Sequence, residues 1–192
     1  MSRKSGRVLV YLDTKGIKVL PQDEIRAILR GADDIISSGG RGILAKILKG
    51  SRDKKVLEHK LNESPVYGYF KDLSIADITS KIDWMIKEHY LRIEYDFRLP
   101  LLVYTERGWE IEKDTYTDEL LSKMKDMQRT LNFDLLDTFR GRNRAMMLLL
   151  LEKIRKSKDA RYIPILEEWK KRDYKKVRQA IAEVIRELQL GE

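Results

Sequence analysis

The chain contains no cysteine, which excludes disulfides and thiolate metal sites. Its two histidines, His59 and His89, stand thirty residues apart and share no helical ligand spacing, so a histidine-based metal site is not expected. Long apolar runs are also missing: the longest, Ala145 to Leu151, is far too short to span a bilayer. No charged-then-apolar leader opens the chain. The expectation is a cytoplasmic, nucleoid-associated protein that makes no use of a membrane and carries no cofactor.

Signatures of catalysis are equally scarce. In "GGRGILAKILKGS" the lysine precedes the glycine, so the phosphate loop G-x-x-x-x-G-K-[ST] is not met. Gly40-x-Gly42-x-x-Ala45 imitates a dinucleotide fingerprint, but a helix rather than a strand precedes it. Asp33-Asp34 and Glu167-Glu168 are adjacent pairs that point in different directions on a helix and read as solvated faces. No Ser/His/Asp order has supporting context. No enzyme is expected.

What the chain does have is positive charge. Its 192 residues carry a formal net charge of +8 and a pI near 9.5, which favours a polyanionic partner, most simply nucleic acid. A merely solubilising surface is the competing explanation, because 36% of the residues are charged. The charge is uneven. From Arg41 to Lys60 there are seven Lys or Arg against two acids, and from Arg140 to Lys176 thirteen against five. Between them, Glu106 to Asp134 has eight acids against five bases. Two basic modules joined near residues 112–132 are expected: a basic arm over 1–20, a first domain over 21–112 and a helical module over 113–192.

Local patterns supply the elements. Arg3, Lys4, Arg7, Lys15 and Lys18 make the arm basic; "VLVYLD" reads as a short strand with Thr14-Lys15-Gly16 as its turn. "LPQDEIRAILRGADDIISSGG" reads as a helix opened by Pro21 and closed by Gly39-Gly40, with Ile25, Ile28, Leu29, Ala32 and Ile36 on one face. "RGILAKILKGS" is a second short helix closed by Gly50. In "SIADITSKIDWMIKEHY", Ser74 and Asp77 form a capping box, and Ile75, Ile78, Ile82, Met85 and Ile86 form the apolar stripe. Strand alternation follows at once in "YLRIEYDFRLPLLVYTERGW", with a turn at Asp96-Phe97-Arg98-Leu99-Pro100. Helices followed by a two-stranded ribbon is the order of a winged helix. After residue 112 the chain reads as helical throughout, and "RNRAMMLLLLEKIRK" is apolar nearly all round, implying burial on several sides.

Over roughly residues 40–110 the chain resembles the RQC domain, the winged-helix module of RecQ-family DNA helicases. The landmarks are "ILKGS" at Ile47–Ser51, "VYGYFKDLS" at Val66–Ser74 and "YLRIEYDF…LLVYTERG" across the ribbon. It most resembles small bacterial proteins in which a divergent RQC domain stands alone. The ATPase lobes and the cysteine-bearing zinc subdomain of those helicases have no counterpart here. The resemblance therefore implies the DNA-gripping part of a helicase without its motor. Separately, Tyr162–Leu188, with Asp173 at its turn and Val177-Arg178 after it, is similar to a HEAT-like helix pair. The fold class expected is α+β, mainly α: an RQC-type winged helix followed by a small helical module.

Candidate DNA contacts follow. Ser51, taken as the N-cap of a helix opening at Arg52-Asp53-Lys54-Lys55, offers outward N–H groups and a positive helix end as a phosphate seat. The resemblance implies that Lys49, Ser51, Arg52 and Lys54 grip the duplex backbone, and that Lys71, just before the Ser74 cap, contacts phosphate. Lys55 lies in the same segment, and Arg41 and Lys46 extend the basic stripe. In RecQ helicases an aromatic at the wing tip stacks on the terminal base pair; here Phe97 is the candidate, with Tyr95 and Arg98 beside it and Leu99 as the rival. Such stacking contributes roughly 1–3 kcal/mol per base. The reading is a non-catalytic protein that binds duplex ends, forks or other structured DNA in repair, replication or recombination. Its C-terminal helices extend that surface or dock a helicase or repair protein. A protein–protein adaptor and a winged-helix transcription regulator are the alternatives. Against the regulator, the face of the 74–89 helix offers Thr79, Ser80, Lys81 and Lys87, with no arginine or asparagine for bidentate base reading.

Overall fold

Proline opens the first helix. Pro21 precedes α1 (Gln22–Asp33), and Asp23 and Glu24 sit in its first turn, beside the positive end of the helix dipole. The computed structural model describes residues 7–130 and 132–190; Arg3 and Lys4 of the basic arm lie outside the described residues. The chain divides into two compact units, Met1–Glu112 and Lys113–Glu192.

In the first unit α1 buries Ile25, Ile28, Leu29 and Ala32, the face that their spacing predicts. It stops at Asp33, well before the Gly39-Gly40 pair expected to close it. Ser37 takes a left-handed φ of +59°. Its N–H donates to the Leu102 carbonyl at 2.9 Å, and the Leu102 N–H donates to the Gly39 carbonyl at 2.8 Å. These backbone groups serve the hairpin rather than a longer helix.

α2 (Arg41–Lys49) buries Leu44, Ala45, Ile47 and Leu48 and ends at a left-handed Gly50. After the short α3 (Lys54–Glu58) and a series of turns comes α4 (Ile75–Lys87). The Ser74 hydroxyl accepts from the Asp77 N–H at 3.1 Å, so the expected cap is present. Ile78, Ile82 and Met85 are buried as expected, while Ile75 at the head of the stripe is exposed. β1 (Leu91–Asp96) pairs antiparallel with β2 (Leu99–Tyr104), from Leu91↔Tyr104 to Asp96↔Leu99. The turn is thus tighter than the five residues expected, with only Phe97 and Arg98 in the loop. The half-buried Tyr104 phenol donates to the Leu29 carbonyl at 2.9 Å, and desolvation pushes its pKa up. Helices α1 to α4 sharing one apolar core, with a hairpin as its wing, make this unit a winged helix.

The arm differs from expectation. Residues 7–12 form no strand, because Val8, Leu9 and Tyr11 are exposed and no sheet face buries an alternating pattern there. The Thr14-Lys15-Gly16 turn does form, closed by the Ile17 N–H on the Thr14 carbonyl at 2.9 Å. What fixes the arm is Asp83 on α4, whose side chain is 3% exposed. It accepts from the Asp13 N–H at 2.8 Å and from the Arg41 guanidinium, which also donates to the Tyr11 carbonyl at 3.1 Å. Breaking a buried ion pair costs about 3–5 kcal/mol; partial exposure of Arg41 reduces this, and Asp83→Ala is expected to cost roughly 2 kcal/mol. The urea midpoint checks it, and a loss below about 0.5 kcal/mol, the usual range for surface substitutions, means that the arm is not tied through Asp83.

α5 (Glu106–Thr130) begins in the first unit and continues in the second, which also holds α6 (Arg144–Ser157), α7 (Ile163–Arg172) and α8 (Lys175–Leu190). Met146, Met147, Leu150, Leu151 and Ile154 of α6 are buried, but Leu148 is exposed. The helix is therefore one-sided rather than apolar all round. Its Lys153 donates to Asp118 at 2.6 Å and lies 2.7 Å from Asp114. Burial pulls the ammonium pKa down, but the two carboxylates outweigh it and the net shift is upward. Trp169 of α7 is fully buried edge-on against Phe139, with ring centroids 5.1 Å apart, and its indole N–H donates to Asp173 at 2.7 Å.

Candidate nucleic-acid interface

Two segments separated in sequence, 47–51 and 66–71, are pinned together in the first unit. The Ile47 carbonyl accepts from both the Gly50 N–H at 2.9 Å and the Gly68 N–H at 3.0 Å, and the Phe70 N–H donates to the Leu48 carbonyl at 2.8 Å. The Tyr67 hydroxyl donates to the Ser51 carbonyl at 3.0 Å. The Lys49 ammonium donates to the Lys71 carbonyl. Gly50 and Gly68 both have φ +75°, and a Cβ on Gly50 would lie 3.0 Å from the Gly68 Cα. Neither backbone could approach the other so closely with side chains at both positions.

Pinning these loops presents four exposed cations: Arg52, Lys54, Lys55 and Lys71. Lys54 lies 3.5 Å from Glu58, both well solvated. Among the described residues, Arg52, Lys55 and Lys71 have no carboxylate partner. Such a set can meet phosphates without reading sequence.

The phosphate seat at Ser51 is corrected by the structure. The N-cap of α3 is Asp53, whose carboxylate accepts from the Lys55 N–H at 3.0 Å. Ser51 instead accepts from the Asp53 N–H at 3.2 Å. A hydrogen bond from Lys46 and the Lys55 N–H hold the Asp53 carboxyl below the usual range. An anion therefore already occupies the helix end, and a phosphate would be repelled there. Lys46, 2.7 Å from Asp53, and Lys49, turned onto the Lys71 carbonyl, stabilise the loops. Arg41 is likewise paired with Asp83. Ser74 is occupied as a helix cap, its hydroxyl 2.6 Å from the Asp77 carboxylate.

At the wing tip, Phe97 is 92% exposed and Leu99 62%. Phe97 adopts φ +50°, a conformation that costs an L-residue about 1–2 kcal/mol and that glycine usually supplies in two-residue loops. Arg98 is exposed beside it. Tyr95 stands back: its hydroxyl donates to the Val8 carbonyl at 2.9 Å, and the Arg7 guanidinium lies 5.3 Å from its ring.

Most polar side chains on the expected face of α4 are engaged within the unit. Ser80 is buried with its hydroxyl on the Ala76 carbonyl at 3.1 Å, and Thr79 donates to the Ile75 carbonyl at 2.8 Å. Lys81 pairs with Glu24 at 2.5 Å. Of the four side chains expected on that face, only Lys87 is fully exposed.

Sequence reasoning missed Gly68 and Tyr67, the residues that join the loops. The signal was present as a lone glycine between tyrosines in "VYGY", an isolated glycine marking a close backbone approach. Among the described residues, no group of three or more acidic or histidine side chains can hold a metal, and no helix is long and apolar enough to cross a membrane.

A family model described as RQC domain matches residues 21–128. The ATP-dependent DNA helicase RecQ of Bacillus subtilis (strain 168) is 28% identical over 101 residues, which is 53% of this chain and 17% of the helicase. The chain thus spans under a fifth of the curated relative that it matches. No solved structure matches the chain.

Proposed function

The chain belongs to the RQC domain family, and on that premise we propose that its first unit binds DNA at duplex ends, forks or other structured sites, without catalysing a reaction. The setting is DNA repair, replication or recombination at the bacterial nucleoid. One observation carries this reading: Phe97 stands almost wholly in solvent at the wing tip, in a backbone conformation that disfavours it. Among the described residues of its unit, nothing buries the ring there. An exposed base at a junction does, by stacking. Arg52, Lys54, Lys55 and Lys71 then hold the backbone of the flanking duplex. The occupied face of α4 speaks against a sequence-reading regulator.

The test is fluorescence anisotropy on blunt duplex, forked duplex and single strand of matched sequence. Phe97→Ala is expected to weaken fork binding about tenfold, within the range for one stacked base, and to leave the blunt duplex within about twofold. Phe97→Gly should lose the same preference while leaving stability unchanged or raising it by up to about 1 kcal/mol, because glycine relieves the left-handed strain. Equal fork binding by parent and Phe97→Ala removes the wedge; no DNA binding at low salt removes the DNA reading itself.

A further inference from the structure

The second unit contains a cavity of about 480 Å³ that the winged-helix reading leaves unused. Phe139, Met147 and Val177 supply its apolar lining. Arg140, Arg142, Arg144, Lys175 and Lys176 also border it, against Asp173 as the one acid. That carboxylate is already engaged, accepting from the Trp169 indole at 2.7 Å and the Tyr174 N–H at 2.6 Å. Arg142 is turned onto the Tyr116 hydroxyl. Among the described residues, Arg144, Lys175 and Lys176 have no carboxylate partner and are exposed.

One contact gives the cavity its chemistry. Tyr174 is 60% exposed, and the Arg140 guanidinium lies 4.8 Å from its ring centroid. Aromatic faces and guanidinium planes are what unpaired nucleobases stack on. A purely solubilising surface places its cations on open ground, whereas these surround an apolar hollow large enough for a small-molecule ligand.

We propose that this cavity is a single-strand nucleic-acid site, separate from the winged helix. It takes one unpaired base against Tyr174 and Arg140, with Arg144, Lys175 and Lys176 on the flanking phosphates. A duplex offers no free base face along its length, so it gains nothing from the aromatic pair. An acidic peptide uses the cations but leaves the ring idle.

The experiment is anisotropy with the full chain and a fluorescent oligothymidine of about eight nucleotides, within the usual site size for single-strand modules. An oligoglutamate of equal charge serves as competitor. Tyr174→Ala is expected to weaken the oligothymidine about tenfold, the effect of one lost stack, and Tyr174→Phe to bind like the parent. Lys71→Ala should weaken blunt duplex while the roughly tenfold difference that Tyr174→Ala makes on oligothymidine persists in its background, so a failed duplex arm counts against the winged-helix reading alone. The exposure of Tyr174 keeps the Ala variant folded, which its melting curve checks. Oligothymidine binding that is absent, or that is the same in parent and Tyr174→Ala, overturns the proposal. So does equal loss in Tyr174→Ala and Tyr174→Phe, which assigns the effect to the hydroxyl. Displacement of oligothymidine by oligoglutamate at equal charge concentration makes the cavity a dock for acidic protein segments instead.

Discussion

Raising monovalent salt from about 50 to about 200 mM is expected to weaken blunt-duplex binding on the order of 100-fold. The figure follows from the cations left available around the pinned loops of the first unit. Arg52, Lys54, Lys55 and Lys71 are exposed; Arg41 and Lys46 are neutralised by Asp83 and Asp53, and Lys49 is held on a carbonyl. With four phosphates neutralised, log K falls with log salt at a slope of about −3.6, which over a fourfold change in salt gives that loss. Lys71→Ala should reduce the slope by about 1 at every duplex sequence tested. An apolar adaptor surface responds little to salt, so a slope near zero ends the phosphate-binding account. A slope near −6 means that cations counted as spent open their ion pairs on the duplex, Arg41 and Lys46 first.

The elements that the sequence states plainly are those specified by neighbours in the chain. The Ser74–Asp77 spacing marks the start of α4, the two-residue alternation marks both strands, and Gly50 marks the end of α2; all three are local rules. The end of α1 is not local, since the Ser37 and Gly39 backbones are used by Leu102, far along the chain. The cap of α3 is expected at Ser51 and stands in the structure at Asp53, two residues on. The reach of Lys46 from the preceding helix accompanies it. The same logic applies to the cations of the basic stripe that are ion-paired, Arg41 and Lys46. A cation in sequence is a charge, but only the fold says whether an acid such as Asp83 has already met it. The cavity of the second unit is the converse case. Its cations lie within a segment whose excess of positive charge is visible in the sequence. That Arg140 would meet Tyr174 over an apolar hollow depends on how the helices of that unit pack.

Replacing Gly50 with valine is expected to destabilise the first unit by about 3–4 kcal/mol, the largest loss from any single exposed or half-buried position considered. Two effects add. At φ +75° any L-residue is strained by about 1–2 kcal/mol, and a β-branched one is at the upper end. The new Cβ also lies 3.0 Å from the Gly68 Cα, where the obstacle is backbone rather than a side chain that can swing aside; such overpacking costs about 1–3 kcal/mol. Gly16→Val separates the two, because Gly16 shares the conformation at φ +76° but has nothing within 4 Å of its Cβ position. It should lose only the strain, about 1–2 kcal/mol. Urea denaturation of both variants measures the difference, and equal losses mean that the approach of the two loops stores no packing constraint. Binding reports the same geometry independently. The Gly68 and Phe70 N–H groups dock on Ile47 and Leu48, and moving that contact carries Lys71 away from Arg52 and Lys55. In the cold, where the variant is still folded, Gly50→Val should therefore bind duplex more weakly than Gly16→Val although neither change removes a charge. If the two bind alike, the exposed cations act as a diffuse cloud and the pinned loops are not what arranges them.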